Sequence, residues 1–168
     1  MREKVAVSKV KRIPYRRLSK LLLDRKNIEL LRLLCAAPRM ANSELARRIG
    51  LSPPTTRERV ARLEEAGVIS RWRIELDPVA LGYPVLAFVR VRPMPGHLSQ
   101  IVQLAQRIPE VTECHRVTGE DCFIMKVYFV AIEELDRVLD QFLSHGQTTT
   151  SIVQSSPVSP RALPLPAR

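Results

Sequence analysis

Just after Ser52-Pro53 the chain places Pro54, Thr55, Arg57 and Glu58 within one short stretch. A guanidinium donates a planar fork, a carboxylate accepts and a hydroxyl does both, so this set suits the hydrogen-bonding edges of nucleic-acid bases. Projected at about 100° per residue, Thr56, Val60 and Leu63 fall on one side. Pro54, Thr55, Glu58, Ala61 and Arg62 fall on the other, with Arg57 and Arg59 on the flanks. A helix that enters a DNA major groove needs that division, because an inner stripe holds it in place while its outer N-terminal residues reach base edges. Pro54, Thr55, Arg57 and Glu58 are therefore assigned to base edges, and Arg59 and Arg62 to phosphate or the groove wall. Arg47 and Arg48, with Arg39, Arg71 and Arg73, are further phosphate candidates, since a phosphate needs only a cation within reach. Each arginine alone reads equally well as part of a solvated helix face; the combination carries the reading.

Three helices position these side chains. Asp24 reads as the N-cap of a first helix, Arg25 to Ala37, with Ile28, Leu31, Leu34 and Cys35 near helical spacing and Pro38 as its stop. A second, shorter helix runs from about Asn42 to Ile49 and ends at Gly50, with either Ala41 or Asn42 as its cap. Ser52 then caps a third helix that carries Pro at its first position and ends at Gly67. With the tight Gly50-Leu51-Ser52 turn this is a helix-turn-helix. Val68 to Leu76 follows as an alternating strand, closed by Asp77-Pro78. Within it Trp72 reads as a packing anchor or as a stacking platform for a base or lipid.

Other chemistries fare worse. Cys114 and His115 are adjacent in a strand-like stretch, so they point to opposite faces and cannot converge on one substrate. The three cysteines and three histidines (His97, His115, His145) show no metal-ligand spacing. No catalytic residue, metal or cofactor is assigned. An odd number of cysteines without a disulfide framework fits a reducing compartment, and the cytoplasm is expected. The longest apolar runs, such as Val85 to Val89, are far too short to span a bilayer, and no membrane partner is expected.

The chain has 168 residues and a formal charge of +10, unevenly distributed. Residues 1–20 hold eight bases and one acid, residues 21–78 eleven and eight, and residues 79–154 six and eight. A basic front and a near-neutral back suit a protein of which one part meets a polyanion, either nucleic acid or anionic lipid.

From Tyr83 the pattern becomes strand, helix, strand, strand, helix, strand: 84–91, 98–107, 111–117, 122–130, 132–143 and 148–154. That order predicts a ferredoxin-like α+β sandwich, with two helices on one face of an antiparallel sheet. The other face keeps apolar side chains and calls for a partner, most economically a second copy. The fold class expected is α+β: an N-terminal winged-helix-like helix-turn-helix domain and a C-terminal βαββαβ domain.

Five separated stretches then bring a family into view. They are Leu23-Asp24 with Ile28 to Leu34, LARRIGLSPPTTRERVARLEEAGVI from 45 to 69, LDPVALG from 76 to 82, VTGED from 117 to 121, and GQTTTSIVQSSPV from 146 to 158. Over residues 23–157 the sequence resembles the Lrp/AsnC (leucine-responsive, feast/famine) transcriptional regulators. The resemblance implies a DNA reader joined by a strand linker to a regulator domain that dimerises through its sheet. It further implies assembly into octamers or other higher oligomers, and a small effector, typically an amino acid, bound between dimers. The VTGED loop and the QTTTS strand look like the two sides of that pocket, which carries over Gly119, Glu120, Asp121 and Cys122 with Thr148, Thr149, Thr150 and Ser151. A glycine turn can present backbone N–H groups to a carboxylate, an acid can hold an ammonium, and hydroxyls do either. The threonines also fit plain β-propensity. Many relatives have Asp where this chain has Cys122 or Asn27, and Asp121 is the nearest acid to stand in at the former.

The expected organisation is a basic extension over 1–22, a DNA-binding domain over 23–67, a strand linker over 68–82, an effector-binding and oligomerisation domain over 83–156 and a Pro-rich tail over 157–168. The extension lies outside the resemblance and is either a basic arm that adds DNA contacts or the product of an upstream start codon. The function expected is a sequence-specific transcriptional regulator that binds double-stranded DNA and answers to an amino acid; the rival is an architectural protein that compacts DNA without sequence choice or effector.

Overall fold

The computed structural model describes residues 22–166. They divide into two compact units, one of residues 22–74 with 160–166 and one of residues 75–159.

The first unit is built on three helices, α1 (Arg25–Ala36), α2 (Asn42–Ile49) and α3 (Pro53–Glu65). Asp24 caps α1, its carboxylate accepting the Asn27 N–H at 2.7 Å. Gly50 ends α2 in the left-handed region at φ 66°, which a side chain would resist. Ser52 caps α3 by accepting from the Thr55 N–H, with Pro at the following positions where a missing donor costs nothing. The residue at the α2 cap is Ala41, without a side-chain bond; Asn42 instead donates to the Pro53 carbonyl at 2.8 Å and ties the two helices of the turn together. Leu30, Leu31, Leu34, Leu45, Ile49 and Leu63 form the core, and Leu165 from the C-terminal segment packs against it.

The second unit contains β1 (Val85–Pro93), α4 (Leu98–Arg107), β2 (Val111–Arg116), β3 (Phe123–Phe129), α5 (Glu134–Leu143) and β4 (Gly146–Ile152). The strands lie in the order β2-β3-β1-β4, every neighbouring pair antiparallel. That is the expected ferredoxin-like sandwich. Strict alternation along β1 and β3 sends Ala87, Val89, Val91, Phe123, Met125 and Val127 toward the helices. Ile101 and Leu104 of α4 and Val138 and Phe142 of α5 cover them. On the other face Phe88 is 42% exposed, among Arg90, Arg92, Lys126 and Tyr128. Lys126 sits 5.4 Å above the Tyr128 ring and 3.8 Å from Glu113, so this face is more polar than the sequence pattern suggests.

The strand expected over Val68 to Leu76 is not formed. Val68 and Ile69 donate to the Leu63 carbonyl, wrapping the end of α3, and residues 70–76 have no ladder partner among the described residues. An extended segment becomes a strand only when a neighbour accepts its backbone bonds. The expected helix over 132–143 begins instead at Glu134, because the carbonyls of Ala131 and Ile132 are taken up in a turn. The basic extension of residues 1–22 lies outside the described residues except for Leu22. No helix among the described residues is long and apolar enough to cross a membrane.

Candidate DNA-reading helix and effector site

The amphipathic division expected of α3 is present. Thr56 and Leu63 are 0% exposed, Thr56 donating its hydroxyl to the Ser52 carbonyl at 3.0 Å, while Pro54, Thr55, Arg57 and Glu58 all lie open to solvent. Arg57 has no carboxylate partner among the described residues. Arg62 pairs with Glu58 one turn back at 2.6 Å, both well exposed, an arrangement worth only about 0.3–0.5 kcal/mol and readily exchanged for a phosphate. Arg47 and Arg48 both reach Glu44, at 2.7 Å each, and their hydrogen bonds pull its carboxyl down to about 2.

Arg59, assigned from sequence to phosphate or the groove wall, is engaged within the first unit. Its Nη1 donates to Asp24 Oδ2 at 2.7 Å and to Asn27 Oδ1 at 2.9 Å, and its side chain is 28% exposed. It sits on the flank of α3 that faces the start of α1, where a carboxylate and an amide oxygen outcompete water for a fork of donors. Arg59 therefore locks α3 against α1 and sets the angle at which the helix is presented. Asn27, 4% exposed, completes the lock by donating to the Leu22 carbonyl. Burial pushes the Asp24 carboxyl up, but hydrogen bonds from Arg59 and from the Asn27 and Lys26 backbones, with the Arg59 charge, carry it below the usual carboxylate range. A depressed folded-state value means the stabilisation is complete above the unfolded-state pKa, near 3.9, and fades as pH falls through the folded value. Asp24→Ala is expected to cost about 1 kcal/mol at neutral pH through the lost cap. It should also flatten the acid side of the stability curve below about pH 4. Urea unfolding at pH 7 and pH 3 measures both.

Trp72 is an anchor. Its indole N–H donates to Glu64 Oε1 at 2.5 Å, and its ring lies beside a cleft of about 270 Å³ lined by Leu34, Met40, Leu45, Arg57 and Val60. The segment leaving the first unit is thus pinned along the reading helix.

In the second unit the eight carried-over effector residues do not share one face. Thr148 and Thr150 stand opposite Val91 and Val89, whose side chains are fully buried under the helices, so both point helixward; the buried Thr150 hydroxyl has no hydrogen-bond partner. Thr149 and Ser151 stand opposite Arg90 and Phe88 and point to the open face. The β2–β3 loop carries Gly119, Glu120, Asp121 and Cys122. Glu120 reaches Arg92 at 3.1 Å and Asp121 reaches Arg90 at 3.9 Å, while Cys122, half-buried, points its thiol at the Gly119 and Glu120 carbonyls. Arg90 and Arg92 were missed from sequence. Their alternate spacing on one strand was a visible signal, but their relation to the loop acids depends on register.

Two further juxtapositions bear on other chemistries. Cys114 faces Met125 and His115 faces Ile124 in the β2–β3 register, on opposite sides of the sheet, and burial pushes the Cys114 thiol up, away from the nucleophilic thiolate. His97 and His145 meet Nδ1 to Nδ1 at 2.9 Å with ring centroids 5.2 Å apart, a head-on hydrogen bond between the α4 cap and the α5–β4 turn.

Comparison with known proteins agrees with this division. Residues 23–70 match the winged helix-turn-helix DNA-binding family and residues 86–163 the Lrp/AsnC ligand-binding domain. An uncharacterized HTH-type transcriptional regulator of Pyrococcus horikoshii is 34% identical over 147 residues, covering 85% of this chain and 92% of that protein. Among solved structures, a transcriptional regulator of Neisseria meningitidis in complex with L-Met superposes with a TM-score of 0.79 at 29% identity, covering 85% of this chain and 97% of its own. E. coli AsnC does so with a TM-score of 0.76 at 32% identity, over 83% and 97%. With both domains matched in order, the chain belongs to the Lrp/AsnC family and is an effector-responding DNA-binding transcriptional regulator rather than an architectural compactor of DNA.

Proposed function

We propose that the protein reads operator DNA as a dimer or larger assembly and that an amino acid, bound where the Gly119–Cys122 loop meets the Thr148–Ser151 strand, changes that assembly. The observation that carries the DNA half is the outer N-terminal face of α3, where Arg57 stands exposed beside Pro54, Thr55 and Glu58 while Thr56 and Leu63 are sealed inside. Arg57 and Glu58 read base edges with Pro54 and Thr55; Arg62, Arg47 and Arg48 hold phosphates. Two α3 helices enter successive major grooves about 34 Å apart, so operators are imperfect palindromes. The open face of the sheet, with Phe88 and Ile124 on it, is where a second copy packs, and dimers join into octamers or other higher assemblies. The amino-acid effector is supported by the L-Met complex of the Neisseria relative. The protein works in the cytoplasm, with its DNA.

Gel shifts over a salt series test the helix assignment. Arg57→Ala should cost about 1–3 kcal/mol on the operator and little on random DNA. Arg62→Ala should weaken both alike and reduce the salt slope by about one. Equal losses on operator and random DNA for both variants would remove α3 from the base edges.

A further inference from the structure

The outer face of α3 carries an acid where a polyanion is to be met. Glu58 lies exposed in the first half of the helix, whereas its other acids, Glu64 and Glu65, fall in the last turn. Among the described residues Glu58 is held by one hydrogen bond, from Arg62 Nη2 to its Oε1 at 2.6 Å, and its Oε2 accepts from no donor. The two side chains are 61% and 64% exposed. Arg57, the residue before, has no carboxylate partner among the described residues, and Arg59 is committed to Asp24 and Asn27. The helix thus offers DNA an uncommitted fork of donors and, next to it, an acceptor on a single solvated bond.

Phosphates repel Glu58 and compete for Arg62. Once Arg62 turns to a phosphate, Glu58 keeps its charge and loses its donor, and a carboxylate left unpaired in a closed interface costs far more than the exposed pair was worth. A base edge can supply the missing donor, but the bases are not equivalent. In the major groove guanine presents acceptors at N7 and O6, thymine an acceptor and a methyl group, and adenine an acceptor at N7 beside its N6 donor; cytosine presents the N4 donor alone. A carboxylate accepts and cannot donate. We infer that Glu58 selects cytosine in each half-site, a selection that rests on the reading-helix assignment proposed above and adds to it the base and the reason. Arg57, which only donates, is its complement and suits guanine O6 and N7. At the Glu58 position, rejection of guanine and thymine contributes as much to the choice as attraction to cytosine.

The test is selection by the full-length protein from duplexes with a randomised core, followed by competition gel shifts on the selected duplex and on copies changed at single base pairs. Wild-type protein should show a cytosine position at which any other base weakens binding by roughly 10- to 100-fold. Glu58→Gln replaces an acceptor by an amide that both donates and accepts, the partner of adenine N6 and N7, so the preferred base there should change from cytosine to adenine. Glu58→Ala should leave that position indifferent and tighten binding to random duplex, because a charge repelled by phosphate is gone. Both substitutions remove only an exposed pair, so melting followed by Trp72 fluorescence should barely move, which separates lost selection from a lost fold. Unchanged base preference in Glu58→Gln, with Arg57→Ala losing its own, would overturn cytosine selection and leave α3 as the reading helix. If Arg57→Ala and Glu58→Gln both keep the wild-type preference, the reading-helix assignment fails and cytosine selection fails with it.

Discussion

Gly146→Ala is expected to destabilise the regulator unit strongly while leaving the DNA-reading unit intact. Gly146 opens β4 opposite Pro93 at the end of β1, and an added Cβ would lie 2.5 Å from the Arg92 carbonyl oxygen and 3.0 Å from the Pro93 Cα. Both obstacles are backbone, so neither can swing aside as a side chain would. The edge strand must move away from β1, and with it goes the register that sets Thr149 beside Arg90 and Thr150 opposite Val89. Forced overpacking of this kind costs about 2–3 kcal/mol. In a domain of this size that lowers the melting temperature by roughly 10–20 °C. Hydrogen exchange should show β1 and β4 amides losing protection. The chain's single tryptophan, Trp72, bonded to Glu64 of α3, reports the other unit and should melt as in wild type.

The mirror experiment is Leu63→Ala. Leu63 is 0% exposed at the centre of the three-helix core, packed with Leu30, Leu31, Leu34, Leu45 and Ile49, and its carbonyl accepts the N–H groups of Val68 and Ile69 that turn the chain away from α3. Truncation removes both transfer energy and packing, about 2–5 kcal/mol for a buried leucine. Set against the 5–15 kcal/mol typical of a whole domain, that is a large part of what holds three short helices together. Operator and random-DNA binding should both fall at 37 °C, and Trp72 fluorescence should report early melting. Stabilisation of the regulator unit by an amino acid should persist. Loss of that stabilisation as well would mean the two units fold as one.

These two substitutions also mark where sequence reasoning reached and where it stopped. The helix termini at Asp24, Gly50 and Ser52-Pro53 are local chemistry, written within a few residues, and the inner stripe of α3 follows from helical period alone. The βαββαβ order is likewise legible, because short apolar runs such as Val85–Val89 and Phe123–Met125 alternate with stretches of helical period such as Leu135, Val138, Leu139 and Phe142. What could not be read is pairing across distance. Nothing near Arg59 announces Asp24, thirty-five positions earlier. Three consecutive threonines are indistinguishable until the register with β1 decides which of them faces Arg90. The extended segment after α3 had the right pattern for a strand, but pattern supplies no neighbour to bond with.

Leu165, half-buried, packs against the core of the unit that reads DNA, although the whole of the second unit, residues 75–159, separates it from Ile74. A domain interrupted in this way cannot be finished in the order it is made. At about 5–20 residues per second, the ribosome spends several seconds building the regulator unit after the three helices have emerged. The last strand of the regulator's sheet, β4, ends only thirteen residues before Leu165, so the two are made almost together. The unit that reads DNA therefore gains its contact with Leu165 only after the chain of the regulator unit has been made.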